Sequence, residues 1–260
     1  MDGHVNVNGV KIAYTLAGHG KVLLFLHGWM CNRQFWKQQI EFFSQNHRVL
    51  ALDFRGQGES DVARDGYTIE GLAADVFAVV KMLDIEVAMV VGHSMGGMVA
   101  QEFCRRYPHK VSGLVLVTTI AADLQDRLIS KRIEKESAAL GFEKAFLKYF
   151  AGWFATQTGR DIVDWVRAEM LKTPESVGLD LVRAYSRFDL RAYLPGFRVP
   201  CLVIGARADD SAVPVESQTL ASLIPGSRLV MIEACGHFPM LEKPDEFQNI
   251  VNRFLSAVNE

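Results

Sequence analysis

Neither sign of charge dominates this chain: 28 lysines and arginines stand against 30 aspartates and glutamates, a formal net charge of −2. Without a basic patch or stripe the electrostatic footprint of nucleic-acid binding is missing, and no nucleic-acid partner is expected. No apolar run approaches the roughly 20 residues of a membrane-spanning helix, so no membrane partner is expected either. Cysteine is scarce, four in 260 residues, and Cys31, Cys104, Cys201 and Cys235 show no paired spacing. That pattern excludes a disulfide framework and a cysteine zinc site and fits reduced thiols in the cytoplasm. Met1-Asp2-Gly3-His4 has neither the basic nor the apolar region of a secretory signal, which points to the same compartment. Repeats, linkers and low-complexity tracts are also missing. What remains is an ordinary globular composition, 49% hydrophobic and 22% charged, with enough apolar residues for a sizeable core.

Short apolar runs recur along the chain at 22–26, 48–52, 87–91, 111–117, 201–204 and 228–232. Continuous rather than alternating apolar character predicts strands buried on both faces. Before them, residues 5–14 read as a hairpin turning at Asn8-Gly9, a pair suited to a two-residue turn with positive φ. Between the runs lie helical patterns. Thr68 is placed to cap a helix bearing Ile69, Leu72, Val76, Val79, Val80 and Leu83 at helical spacing, and 96–106 and 245–257 also suit helices. Strand and helix in alternation predict an α/β fold with a mostly parallel sheet covered on both faces.

The rhythm breaks between about 120 and 196, where charged residues (Arg127, Lys131, Arg132, Glu134, Lys135, Glu136) interleave with Phe142, Phe146, Tyr149, Phe150, Trp153, Phe154 and Trp165. The simplest organisation is one domain over residues 1–260 with a helical insertion riding on the sheet. Most of the insertion's rings are expected to pack against the main body, and a few to roof a pocket.

Gly92-His93-Ser94-Met95-Gly96, followed by Gly97, falls between the run at 87–91 and the helix at 96–106. A serine on a sharp strand-to-helix turn exposes its hydroxyl, and small residues two before and two after let strand and helix approach. The helix that follows offers unpaired N–H groups and a partial positive charge to an anion. Ser94 is therefore the candidate nucleophile. A serine hydroxyl needs a base, itself oriented by a third group. His237, in Cys235-Gly236-His237-Phe238-Pro239 after the last strand run, is the candidate base. The loop after 201–204 carries two adjacent carboxylates, Asp209 and Asp210, either of which would complete the order Ser, Asp, His. For the oxyanion hole, one amide follows from the motif, that of Met95; the other candidate is the amide of Trp29, in His27-Gly28-Trp29 after the strand at 22–26.

Together these landmarks resemble the α/β-hydrolase superfamily over nearly the whole chain. His27-Gly28-Trp29 is similar to its oxyanion loop, Asp53-Phe54-Arg55-Gly56-Gln57-Gly58-Glu59-Ser60 to its D-x-R-G-x-G-x-S loop, Gly92 to Gly97 to its nucleophile elbow, and Gly236-His237-Phe238-Pro239 through Glu242-Lys243-Pro244 to its histidine loop. The resemblance implies an eight-stranded, mostly parallel sheet with strand 2 antiparallel, helices on both faces, and a small helical cap between strands 6 and 7. Its D-x-x-x-P pattern, anchored on Pro214, selects Asp210 as the acid. The stretch from Gly205 to Asp210 is longer than the common G-x-x-D, which keeps Asp209 open, and Asp123 is a remoter option. The D-x-R-G loop is structural in most relatives and is assigned no chemistry. The wording is closest to the esterase, enol-lactonase and cofactor-free haloperoxidase branch, and serine at the elbow disfavours dehalogenation and epoxide hydrolysis. The expected activity is hydrolysis of a carboxylic ester or lactone of a small, largely apolar substrate through an acyl-enzyme, with no cofactor and no metal. A carbon–carbon bond hydrolase on the same triad and a ligand-sensing receptor on the same fold remain the alternatives.

Overall fold

The computed structural model describes residues 1–123, 129–185, 187–210 and 214–259. Of the charged residues noted in the insertion, Arg127 lies outside them. Eight strands form one sheet: β1 (Asp2–Val7), β2 (Val10–Ala17), β3 (Val22–Leu26), β4 (Arg48–Leu52), β5 (Ala88–His93), β6 (Val111–Val117), β7 (Cys201–Ala206) and β8 (Arg228–Ile232). Their order across the sheet is β1-β2-β4-β3-β5-β6-β7-β8. β2 runs antiparallel to both β1 and β4, and every other neighbouring pair is parallel. Asn8 (φ 49°) and Gly9 (φ 75°) make the β1–β2 turn, the left-handed pair that matches the twist of a tight hairpin.

The predicted apolar runs become strands with small shifts at their ends. β5 and β7 reach two residues further than the apolar run, to His93 and Ala206, because parallel pairing continues to their tips: His93 is opposite Val117, and Ala206 opposite Ile232. Every residue of β5 and β7 is buried. Successive side chains point to opposite faces, so both faces are covered. The edge strand β1 alternates exposed and partly buried residues instead.

The helices are α1 (Lys37–Phe43), α2 (Ile69–Met82), α3 (Met95–Arg106), α4 (Ile129–Leu140), α5 (Phe142–Phe150), α6 (Arg160–Met170), α7 (Glu175–Tyr185), α8 (Pro214–Leu223), α9 (Pro239–Glu242) and α10 (Pro244–Asn259). The Thr68 hydroxyl accepts from the Gly71 amide at 2.9 Å, capping α2 as its sequence predicts. α2 packs against α3, and α1 against α10. Helices α4 to α7 all fall between β6 and β7, where the strand rhythm is interrupted. No helix among the described residues is long and apolar enough to cross a membrane.

Candidate active site

Parallel strands deliver their loops to one edge of the sheet, and ligands of such sheets bind outside the carboxyl ends of the strands. Ser94 follows β5, Asp209 follows β7, His237 follows β8 and Trp29 follows β3. Ser94 has φ 51° and ψ −119°, a strained conformation for a residue with a side chain. It is held there on both sides. Its amide donates to the Val117 carbonyl at 2.9 Å, and its carbonyl accepts from the Thr119 hydroxyl at 2.7 Å and the Gly97 amide at 2.9 Å. The flanking glycines are required by contact: a Cβ on Gly92 would stand 2.4 Å from the Gly96 carbonyl oxygen, and one on Gly96 would stand 2.2 Å from that of Leu26.

His237 Nδ1 lies 2.8 Å from Asp209 Oδ2, and both side chains are buried. A carboxylate only accepts, so Nδ1 carries a proton, and in the neutral ring Nε2 keeps the lone pair. Asp210 is not part of this contact. It is exposed, with its carboxylate beside Gly152. The physical reason lies on the strand side of the loop. The Arg207 amide donates to the Ile232 carbonyl and the Ala208 amide to that of Cys235. Those bonds carry the chain along β8 for two residues beyond β7 and turn Asp209 inward. Counting back from Pro214 crosses 211–213, which lie outside the described residues, and lands one residue too far along. Asp123, after β6, binds the Phe188 carbonyl through its amide; the carboxylate on His237 is that of Asp209.

The His237 peptide is fixed at both ends. Its amide donates to the Trp153 carbonyl at 2.6 Å, and its carbonyl accepts from Thr118 Oγ1 at 3.0 Å and His93 Nε2 at 2.8 Å. Donation from Nε2 leaves His93 Nδ1 bare, and that atom is buried with no partner among the described residues. Burial holds the His93 imidazole well below its ordinary pKa, so the ring is neutral. Glu242 ties the same loop to the helical segment. Its Oε2 accepts from the amides of Ala155 (3.0 Å) and Gly236 (3.1 Å) and the Thr158 hydroxyl (2.6 Å), and its Oε1 from the Phe238 amide (3.0 Å). Sequence reasoning missed these supports. Glu242 stood in a quoted motif, but nothing in one sequence reveals that its carboxylate straddles the histidine.

Ser94, His93, His237 and Phe238 form one side of a small cavity, with Trp29 and Cys31 beside them. Ile133, Trp153, Met170, Val182 and Tyr185 close it from the helices between β6 and β7. Of the insertion's rings singled out in the sequence, Trp153 alone lines the cavity. Phe142 and Phe146 pack on Trp29, and Trp165 is 37% exposed against Phe35. Trp29 is pinned by its indole N–H, which donates to the Gly178 carbonyl at 2.9 Å. Met95, the first residue of α3, is fully buried. Among the described residues neither the Trp29 nor the Met95 amide donates to a backbone carbonyl.

The D-x-R-G loop stands behind this wall as a brace. Asp53 accepts from the Arg33 amide (2.6 Å), the Glu59 amide (2.9 Å) and the Arg33 guanidinium. Arg55 holds Asp75 through two bonds of 2.6 and 2.7 Å. His27 accepts from the Phe54 amide at Nε2 (3.0 Å) and bonds the Gly28 carbonyl through Nδ1 (2.8 Å). Burial lowers its pKa to about 4, so it is a neutral strut between the two loops.

The chain belongs to the alpha/beta hydrolase family, whose model matches residues 23–249. It is 25% identical to 3-oxoadipate enol-lactonase 2 of Acinetobacter baylyi, over 96% of this chain and 95% of the relative. Among solved structures it is similar to Est816, an N-acyl homoserine lactone degrading enzyme (28% identity, TM-score 0.89, 97% of this chain and 100% of that one). It is also similar to a thermophilic esterase from Thermogutta terrifontis (25% identity, TM-score 0.90, all of both chains). The protein is thus a hydrolase whose relatives include esterases and lactonases.

Proposed function

We propose that this hydrolase cleaves a carboxylic ester or lactone of a small, largely apolar substrate through an acyl-enzyme on Ser94, with His237 as base and Asp209 as the acid. One observation carries the reading: a serine held at φ 51° shares a cavity with a histidine whose Nδ1 is 2.8 Å from a buried carboxylate. Ser94 Oγ attacks the acyl carbon while its proton passes to His237 Nε2. Asp209 keeps the imidazole in the productive tautomer and stabilises the cation that forms. The oxyanion accepts from the Trp29 and Met95 amides, the second at the positive end of α3. Collapse expels the alcohol oxygen, which takes the proton back from Nε2. Water then repeats the cycle on the acyl-enzyme and frees the acid. The largely apolar walls support an apolar acyl group.

Kinetics on p-nitrophenyl esters and a homoserine lactone, wild type beside Ser94→Ala, test the proposal. Loss of turnover by several orders of magnitude in the variant is the expected result. A folded wild type inert to both substrate classes would overturn it and return the site to carbon–carbon bond hydrolysis or ligand sensing.

A further inference from the structure

We infer that the acyl group accepted at this site is short and uncharged, and that Ile133, Met170 and Val182 set its length; this rests on the serine-hydrolase reading above. The cavity over Ser94 has a volume of about 40 Å³. One water needs roughly 10–15 Å³ of such space, so the cavity holds about three. With the carbonyl oxygen turned to the amides, what is left of that space suits a short acyl chain.

The walls resist enlargement. Ile133, Met170 and Val182 are each 1% exposed, packed into the core behind them, and such packing yields little space without strain. Trp29 is tethered through its indole N–H to Gly178. Trp153 holds the His237 amide with its own carbonyl, so displacing its backbone would disturb the base. Ile133, Met170 and Val182, with Tyr185 beside them, are the remaining walls on the helical side, and the three without a ring are the ones a longer chain can be given room at.

Charge is excluded by the same walls. Among the described residues no lysine, arginine, aspartate or glutamate lines the cavity. A carboxylate on the acyl chain would lose its water with no cation to replace it.

The experiment is kcat/KM on p-nitrophenyl acetate, butyrate, hexanoate, octanoate and hemisuccinate, for wild type, Ser94→Ala, Met170→Ala and Val182→Ala, each with its Tm. One methylene in a hydrophobic pocket is worth about tenfold or more. Acetate and butyrate should lead, octanoate should fall at least about 100-fold below butyrate, and the hemisuccinate should fall as far. At least one cavity-opening variant that keeps its fold should move the optimum to hexanoate or beyond. A Ser94-dependent optimum at octanoate, hemisuccinate turnover equal to butyrate, or an unmoved optimum in both folded variants would overturn the inference and leave the serine mechanism standing. Turnover unchanged in Ser94→Ala would overturn the mechanism itself and the inference with it.

Discussion

Changing Asp209 to asparagine keeps the side chain's volume and replaces one acceptor oxygen with an N–H₂ donor. Asp209 Oδ2 faces His237 Nδ1 at 2.8 Å, and the carboxylate is completely buried. An amide nitrogen there would meet Nδ1 as a donor, so the ring would move its proton to Nε2, the atom that accepts the serine proton in the proposed mechanism. An amide oxygen there would keep the tautomer, yet it would carry no charge to stabilise the imidazolium. In a triad this substitution costs roughly 10⁴ in kcat, about 5.5 kcal/mol of barrier. Asp210→Asn, by contrast, changes an exposed group, and its effect should stay within about threefold, as for surface substitutions generally. The assay is kcat and KM on a short-chain p-nitrophenyl ester for both variants, with thermal unfolding to show that each is folded. The reasoning is refuted if Asp210→Asn loses activity by orders of magnitude while Asp209→Asn keeps it.

Glu242→Ala removes the acceptor shared by Ala155, Thr158, Gly236 and Phe238. Bonds to a charged group are worth about 1.5–3 kcal/mol each, and rehydration recovers most of the four, so a loss of about 3 kcal/mol, or roughly 6–12 °C in Tm, is expected. Thr158→Val, which removes one bond on the helical side, should lose less, and equal Tm values for both variants would contradict the clamp. Gly96→Ala puts a Cβ 2.2 Å from the Leu26 carbonyl oxygen and 2.5 Å from that of His27. Such overpacking costs about 1–3 kcal/mol or more, so the variant should unfold at lower temperature and react slowly with a fluorophosphonate; wild-type behaviour in both assays would sink the close-approach argument. His27 titrates near 4 in the fold against 6.5 when free, so the unfolded chain binds the extra proton between those values. The resulting stability, about 3 kcal/mol, is complete above pH 6.5 and is lost as pH falls through 4. Urea unfolding at pH 7 and pH 4.5 should show that fall, and constant or rising stability on acidification would contradict it.

Much of this architecture was legible because it is local. Six apolar runs became β3 to β8, since strands buried on both faces leave a composition signature. The elbow was legible because a serine turn needs glycine at fixed offsets, and the contacts at Gly92 and Gly96 show why. The acid was not settled by spacing. Two carboxylates in a row face opposite ways, and which turns inward depends on the bonds from Arg207 and Ala208 to the β8 side of the sheet. Those bonds join residues more than 20 apart, which no local pattern encodes. The same holds for the cavity's far wall. Val182 and Tyr185 on α7 reach it through packing of the helical segment, whereas Trp165, as conspicuous in the sequence as Trp153, ends partly exposed.

The central claim is that Ser94 carries the acyl group. Rapid quenching of wild type with p-nitrophenyl acetate, followed by intact-mass and peptide mass spectrometry, tests it directly. One acetyl group per chain, mapped to Ser94 and absent from Ser94→Ala, is the predicted result. Acetylation at another residue together with undiminished turnover in Ser94→Ala would contradict the account.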